Sequence, residues 1–480
     1  MGALPRKIAQ DRGEWRGDFK LAGVLDLTVS QLLARAARAQ SEGRVPSLVA
    51  AVVRDGELAW SAGRGSVDPT ARGGSAVPDA DTQYRIGSIT KIFTAVLVMR
   101  LRDEGRLTLA DPLERHVPGA TFGDRTVGQL LSHGAGLQAE TGGPWWERTP
   151  GGEWPDLLSD LDKPATAHPP GRRFHYSNLG YGALGELISR LRGRPWEECL
   201  AQEVLAPLGL RRTTLRPAPP AARGLAVHPW ADLVLPEPEH DAGAMAPAGQ
   251  LWSTAADLAR FAAFLLDGAA EVLDPATLEE MTEPALVDFA RQPWSAYGLG
   301  LQVYDFGGGH RGFGHGGSMP GFLAGLLVDP DQRTAAIALA NTTDGLDFSL
   351  CGDLLEIVHR NEPRVPPEWS PAPAVDMDVL DLLGMWFWGP SPFTLRLLAD
   401  GLLQLAPVGD GTRTSRFRRI DDGSWMGLDG YYAGEELRVV RREGDAVALD
   451  VATFVFARSP YDPEAPVPGD VDAAGWRTRG

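Results

Sequence analysis

Hydrophobic positions change their period several times along the first hundred residues, and each change predicts an element. Apolar residues recur at helical spacing over 24–39, which predicts an amphipathic helix. Apolar runs at 47–53 and 57–60 flank the pair Asp55-Gly56, which is typical of a β-hairpin turn. Residues 89–101 are apolar on nearly every face, which predicts a buried helix.

Strand patterns return late in the chain. Apolar runs at 322–328 and 334–340 flank a turn at 329–332, and a helix is predicted over 346–359. The intervening residues, 106–290, mix helical segments with loops rich in proline and glycine. This order predicts an α+β fold, in which helices flank an antiparallel sheet and a helical subdomain is inserted between its strands.

Five prolines within residues 361–374 mark a linker, which we place at 361–377. Residues 378–460 then read as short strands separated by glycine and aspartate turns, which predicts a small antiparallel barrel or sandwich. The predicted organisation is completed by a main domain at 24–360, with a leader at 1–23 and a tail at 461–480.

Charge and composition narrow the classes of partner. The 480 residues carry a formal net charge of −17, and such an acidic surface argues against nucleic-acid and membrane partners. The polar stretch 1–20 lacks the apolar core of a secretory signal, and no run of about 18 apolar residues occurs. We therefore expect a cytoplasmic protein.

Cofactor and metal signals are weak. The nine histidines are scattered without ligand spacing, and no phosphate-binding loop of the Walker type appears, so we expect neither cofactor nor metal. The two cysteines, Cys199 and Cys351, are expected to be small buried side chains rather than a disulfide framework.

Residues 138–155 carry Trp145, Trp146 and Trp154 among glycines and prolines. This segment is consistent with a wall or lid over a pocket, and equally with a surface loop.

Ser88 and Lys91 are the first candidate site. Three residues apart at the start of the buried helix, they point to one place. A partly desolvated lysine has a lowered pKa and can take the proton of a serine, whose alkoxide the helix dipole favours. The structural alternatives are a helix-capping serine and a surface lysine, although the helix offers almost no polar face.

Tyr176 and Asn178 form the second candidate, just before a helical run from 179 to 191. A tyrosine near a lysine can pass a proton to a leaving group, and an asparagine can bind a substrate amide. A capped helix start with a half-buried tyrosine is the structural alternative.

The glycine-rich run 314–321 is the third candidate, and it contains the substrate-binding candidates Gly316, Gly317 and Ser318 together with His315. Glycines let a backbone approach a ligand closely, a strand edge with free N–H groups can hold an oxyanion, and a histidine can donate or titrate. A turn with a structural histidine is the alternative.

Taken together and in this order, the three motifs resemble those of the serine β-lactamase and penicillin-binding-protein superfamily, on its class C and carboxylesterase side. Supporting stretches at 130–137, 170–181 and 247–258 also resemble the family, and the resemblance covers about 24–360. It implies a β-lactamase/transpeptidase-like fold and a catalytic set. That set is Ser88 as the acylated nucleophile, Lys91 and Tyr176 as base and acid, Asn178 as the acyl-amide ligand, His315 in the third-motif place, and the backbone N–H groups of Ser88 and Ser318 as the oxyanion hole.

Two features refine that resemblance. His315 replaces the lysine of the family's third motif, which removes a fixed cation for a substrate carboxylate and favours esters, amides, D-amino-acid peptides or thioesters. The C-terminal piece resembles the lipocalin-like barrels of some relatives, including thioesterases that cyclise nonribosomal peptides; its aromatic residues are expected to be core.

Three functions therefore stay open. The leading interpretation is a hydrolase of amide, peptide or ester bonds acting on a small molecule or peptide. An acyl-transferring thioesterase acting on a carrier-protein-bound peptide would use the same residues. A non-catalytic ligand-binding relative is the third possibility.

Overall fold

The computed structural model describes residues 24–460 apart from 72–75, 160, 162–164, 290–294, 308–309, 367, 372–376, 410–412 and 421–422. The predicted leader, tail and part of the predicted linker lie outside these described residues. The chain divides into two compact units, whose sequence boundary lies between Arg364 and Val365.

The first unit combines helices with a large sheet. Its helices are α1 (Asp26–Glu42), α2 (Thr90–Asp103), α3 (Val127–Leu131), α4 (Trp154–Ser159), α5 (Asn178–Arg192), α6 (Trp196–Leu200), α7 (Ala246–Gly249), α8 (Ala255–Asp267), α9 (Pro275–Thr282) and α10 (Leu350–Asn361). Its strands are β1 (Ser47–Arg54), β2 (Glu57–Gly65), β3 (Tyr84–Arg85), β4 (Leu225–Val227), β5 (Val234–Pro236), β6 (Trp252–Ser253), β7 (Leu286–Asp288), β8 (Ser295–Tyr297), β9 (Gln302–Gly307), β10 (His310–Met319), β11 (Phe322–Asp329) and β12 (Thr334–Ala340).

The main sheet has the order β2-β1-β12-β11-β10-β9-β8-β7, and its neighbouring strands are antiparallel. Strand β1, from the start of the unit, pairs with β12, from its end, with Leu48 opposite Ala340. The Asp55-Gly56 turn has positive φ at both residues, as a type I′ hairpin requires. The predicted α+β architecture is confirmed.

Both faces of the central strands are buried. Val49, Ala51 and Val53 of β1 belong to the larger core, which contains residues of α2 and α8. The alternate residues of β1 face a smaller core that α1 and α10 complete. Burial on both sides explains why β1 and β12 read as continuous apolar runs instead of alternating ones.

Several predicted boundaries shift. The first helix runs to Glu42, and the last begins at Leu350, four residues after the predicted start. The glycine-rich run is strand as far as Met319, so the tight turn after it is only Pro320-Gly321. In the tryptophan-rich segment Trp146 and Trp154 are buried in the larger core, whereas Trp145 is exposed.

The second unit is a closed antiparallel barrel whose strands follow chain order. After the short helix α11 (Met377–Leu380), its strands are β13 (Gly384–Trp388), β14 (Ser391–Leu397), β15 (Leu403–Pro407), β16 (Ser415–Arg419), β17 (Trp425–Gly427), β18 (Glu436–Arg442), β19 (Asp445–Val451) and β20 (Phe454–Ala457). Of the two predicted architectures, barrel and sandwich, the barrel is confirmed. The strand expected from Gly401 starts at Leu403, because Leu398 and Leu402 close a turn.

Among the residues described, no helix is both long enough and apolar enough to cross a bilayer.

The helix that carries the candidate lysine packs on α8 through one aromatic contact. Phe93 of α2 stacks on Phe261 of α8 with ring centroids 3.8 Å apart, and both side chains are fully buried. We expect Phe93→Ala to lower the free energy of unfolding of this unit by about 3–5 kcal/mol, because it removes buried area and leaves a cavity. Urea denaturation measures the loss. Phe289→Ala, at a side chain that is 78% exposed, is the control and should change it by less than about 0.5 kcal/mol; equal effects would contradict the prediction.

Candidate active site

The candidate nucleophile lies where a tight turn meets the edge of the main sheet. Ser88 is the middle residue of the 3-10 turn Gly87–Ile89, which leads directly into α2. Gly87 has φ +51°, and a Cβ there would lie 2.5 Å from the backbone nitrogen of Ser318. Only glycine lets the turn approach β10 this closely.

Lys91 is buried beside that serine. Its Nζ donates to the Ser88 Oγ at 3.1 Å, to the Asn178 Oδ1 at 2.7 Å and to the Ala248 carbonyl at 2.7 Å. Burial lowers the pKa of Lys91 to about 7, while the carboxylates of Glu140 and Glu147 oppose the effect. An amine poised near neutrality can exist as the free base with its lone pair available to a serine hydroxyl.

Tyr176 lies against the same lysine. The Lys91 Nζ is 4.9 Å from the centroid of its ring, and the ring packs on His133 at 4.2 Å between centroids. The Nδ1 of His133 accepts the Ser177 N–H at 3.0 Å. Burial holds the pKa of His133 well below its usual range, so this ring is neutral and supports the tyrosine.

Asn178 is held by a chain of hydrogen bonds that the sequence does not reveal. Its Oδ1 accepts from Lys91, while its Nδ2 donates to the Glu140 Oε1 at 2.8 Å. The other oxygen of Glu140 accepts the Trp146 Nε1–H at 2.7 Å. Because a carboxylate accepts only, Glu140 sets the orientation of the amide and turns its oxygen towards the lysine.

His315 is buried in β10 and engaged at both ring nitrogens. Its Nε2 lies 3.0 Å from the Tyr297 hydroxyl, and its Nδ1 contacts the Gly316 carbonyl. A carbonyl can only accept, so Nδ1 carries a proton. The histidine is a hydrogen-bonded ring in the wall of the site, held at both of its nitrogens.

The end of β10 borders the nucleophile along one edge. Strand β9 pairs with β10 only as far as Gly314, and beyond it the edge faces the Ser88 turn. A Cβ at Gly317 would lie 2.0 Å from the Ile86 carbonyl oxygen. Gly317 thus allows the close approach that brings Ser318 next to the turn, whereas a Cβ at Gly316 would meet only the Phe348 ring at 3.5 Å.

A cleft of about 770 Å³ extends from Ser88 along the sheet edge and includes Tyr176 and the run from His315 to Ser318. Its aromatic walls are Phe174, Tyr297, Tyr304, Phe306 and Phe348. The charged residues that line it are Asp288, Asp305 and Asp353, and the described lining includes no lysine or arginine. The described lining of the cleft is therefore largely aromatic and acidic.

The structure brings together Ser88, Lys91, Tyr176, Asn178 and the run from His315 to Ser318, which come from three distant parts of the sequence. Sequence reasoning missed Glu140, Tyr297 and the Ala248 carbonyl, and it named Trp146 only as part of a possible wall or lid. Glu140 and Trp146 flank the stretches that resemble the family, but nothing in their spacing indicates a contact with Asn178.

The chain belongs to the beta-lactamase family, whose model matches residues 26–357. A domain of unknown function (DUF7586) matches residues 375–458.

Among curated relatives, penicillin-binding protein 4 of Amycolatopsis lactamdurans is 29% identical over 72% of this chain and 94% of its own length. The D-alanyl-D-alanine-carboxypeptidase/endopeptidase AmpH of Escherichia coli is 31% identical, over 34% of this chain and 44% of that protein.

Two solved structures extend the comparison. A D-stereospecific amidohydrolase from Streptomyces is 27% identical, with a TM-score of 0.54, and matches 70% of this chain and 98% of that one. The D-amino acid amidase of Ochrobactrum anthropi SV3, complexed with D-phenylalanine, is 24% identical with a TM-score of 0.60, and matches 70% of this chain and 100% of that one. The family and these neighbours support a serine hydrolase, and the D-amino acid amidase, at 24% identity, shows the shared fold alone.

The buried lysine makes a direct prediction. We expect the Lys91 amine to titrate near pH 7, against about 10.4 for an ordinary lysine, because burial disfavours its charged form. The chain contains only four lysines, so a spectrum of ¹³Cε-labelled lysine is simple, and Lys91→Arg identifies the signal by its loss.

Glu140→Gln tests whether the groups around Lys91 set its pKa. Removing this negative charge should lower the midpoint of Lys91 further, whereas Glu279→Gln, on the distant helix α9, should leave it unchanged. A midpoint above pH 9 in the unmodified chain would contradict the assigned environment.

Proposed function

We propose that this protein is a serine hydrolase that forms an acyl-enzyme at Ser88 and cleaves an amide, peptide or ester bond. The observation that carries the proposal is the 3.1 Å contact between Ser88 and a buried lysine whose pKa lies near 7. The substrate is a small molecule or a peptide. The predicted cytoplasmic location remains a prediction.

In the first step neutral Lys91 accepts the Ser88 proton as the serine oxygen attacks the carbonyl carbon. The resulting ammonium keeps the Asn178 and Ala248 oxygens as partners, so the charge formed in this step is stabilised where it arises. In this proposal the N–H groups of Ser88 and Ser318 stabilise the oxyanion, and one such donor is typically worth about 3–4 kcal/mol.

Lys91 and Tyr176 then return the proton to the leaving group. The ring of Tyr176 lies 4.9 Å from the Lys91 Nζ and 6.0 Å from the His315 ring, measured to its centroid, and it also lines the cleft. In this proposal its hydroxyl carries the proton towards the leaving group. In this scheme Asn178 binds the acyl amide of the substrate while its own side-chain amide also donates to Glu140. The geometry of the Asn178 side chain therefore contributes to substrate specificity. Water completes the cycle by hydrolysing the ester at Ser88.

Acyl transfer is the second candidate. A solved structure described as SurE, 25% identical with a TM-score of 0.55, matches 90% of this chain and 99% of its own, a span that extends beyond the first unit into the barrel. The span alone does not separate transfer from hydrolysis, and the proposal of a thioesterase that cyclises a carrier-bound peptide rests on the resemblance of the barrel to those of cyclising thioesterases. A peptidyl thioester ending in a D-residue separates the candidates, since a cyclic product indicates transfer and a free acid indicates hydrolysis.

The nucleophile is tested by intact-mass spectrometry after incubation with a fluorophosphonate probe and, separately, with p-nitrophenyl acetate. We expect one stoichiometric adduct in the unmodified chain and none in Ser88→Ala, because the alkoxide is lost. Ser318→Ala is the matched control. It keeps the backbone N–H and should still be labelled. An equal adduct in Ser88→Ala, or none in any variant, would reject the acyl-enzyme and favour a non-catalytic ligand-binding protein.

The acidic cleft predicts a preference in the leaving group. For a peptide ending in D-Ala-D-Ala, we expect kcat/KM for the C-terminal amide to exceed that for the free acid by about tenfold, or about 1.4 kcal/mol. The physical reason is that carboxylates, and no fixed cation, line the described cleft.

Asp305→Asn should narrow this ratio, because it removes one of the three lining carboxylates and keeps the oxygen that accepts the Gly307 N–H. Steady-state kinetics with the matched pair of peptides measures both chains. Faster turnover of the free acid would contradict the assignment of the cleft.

A further inference from the structure

The C-terminal barrel contains a cluster of aromatic rings at the border of its core, to which Tyr432 belongs and against which Phe454 packs. Trp388 ends β13, Phe454 begins β20, and Tyr431 and Tyr432 belong to the 3-10 turn Gly430–Tyr432. The ring of Phe454 lies 5.4 Å from Trp388, 5.9 Å from Tyr431 and 5.7 Å from Tyr432, between centroids. These four residues are called the aromatic cage below.

A cation of the same chain occupies the cage. The guanidinium carbon of Arg413 lies 4.6 Å from the centroid of Tyr431, 5.0 Å from that of Trp388 and 5.3 Å from that of Phe454. Within the described part of the barrel no carboxylate forms an ion pair with Arg413. Its charge is therefore met by the negative faces of three rings, as in cation–π recognition.

One side of the cage is open to solvent, and Tyr432 forms its buried side. Trp388 is 38% exposed and Tyr431 is 53% exposed, whereas Trp386, two residues away, is fully buried. Burial raises the pKa of Tyr432, and the charge of the nearby Arg413 guanidinium opposes that rise. Barrel stability alone does not require large aromatic faces at the surface.

The backbone holds the cage independently of the arginine side chain. Gly430 has φ +65°, and a Cβ there would lie 2.0 Å from the Thr414 carbonyl oxygen, so the turn packs directly on the chain that follows Arg413. The Tyr432 N–H donates to the Ser415 Oγ at 3.1 Å. The long side chain of Arg413 can therefore leave the cage while its walls stay in place.

We propose that the aromatic cage is a binding site for an organic cation, of the quaternary ammonium class, and that Arg413 occupies it until such a ligand displaces the guanidinium. A trimethylammonium group and a guanidinium are both weakly hydrated cations with diffuse charge, so one set of ring faces accepts either. A primary ammonium, which is compact and strongly hydrated, is disfavoured. This site does not depend on Ser88 or on the proposed hydrolase activity.

The test uses the full chain labelled with 5-fluorotryptophan and observed by ¹⁹F NMR during titration with choline chloride. Trp388→Phe assigns the Trp388 resonance by its loss. In Arg413→Ala, which vacates the cage, we expect that resonance to shift saturably, with a dissociation constant at least about tenfold lower than in the unmodified chain. The resonances of Trp386 and Trp425 should stay in place and show that the barrel remains folded.

Two controls isolate charge and position. The compound 3,3-dimethyl-1-butanol has the shape of choline without its charge, and it should leave the Trp388 resonance unmoved. Arg418→Ala removes an exposed arginine of the neighbouring strand β16 and should behave as the unmodified chain. An Arg413→Ala resonance that choline does not move, or that the neutral alcohol moves equally, overturns the proposal.

A trimethylammonium group can belong to a soluble molecule or to a lipid headgroup, and a last arm separates these sources. Phosphatidylcholine vesicles are sedimented with Arg413→Ala and with Arg413→Ala/Trp388→Ala. Co-sedimentation that depends on Trp388 assigns a headgroup. Binding of choline without co-sedimentation assigns a soluble cation.

Discussion

The burial of one ammonium group, that of Lys91, is the constraint to which the rest of the candidate site is adapted. A charged amine in an apolar core is costly unless every proton has an acceptor, and here three oxygens from three separate elements supply them. The same burial that costs stability lowers the pKa of the amine towards neutrality, so the structural cost and the chemical use have one origin. These three acceptors stay in place only while α2, α5 and α7 keep one relative arrangement.

The main sheet forms the other border of the site, next to the Ser88 turn. Pairing β1 with β12 joins the beginning and end of the first unit, and it places β10 where its far edge can border the Ser88 turn. The approach is closer than a side chain would allow, which is why Gly87 and Gly317 stand at the contact. Glycines in this site therefore act through the space they leave open, and the flexibility of the chain is secondary.

The family relationship indicates the type of reaction, and the residues that line the cleft indicate which leaving groups are favoured. Relatives include proteins described as carboxypeptidases and as amidases, and the shared catalytic group does not separate them. The difference lies in what faces the leaving group. A histidine hydrogen-bonded to Tyr297, with carboxylates further along the cleft, provides a different electrostatic environment from a lysine at the same place. The second unit adds a surface of aromatic rings that contact the guanidinium of Arg413.

The sequence by itself determined the elements with strong periodicity: the buried helix, the Asp55-Gly56 hairpin, the late strand pair and the barrel strands. These follow from local patterns, since a run of apolar residues or a turn pair has nearly the same physical consequence in any fold. The sequence also identified Ser88, Lys91, Tyr176, Asn178 and His315 as candidates. Only the tertiary structure decided that Glu140 orients Asn178, that Tyr297 holds His315 and that Arg413 lies among three rings. Those contacts join residues from 18 to 41 positions apart, and their energies depend on distances and burial that no local pattern encodes.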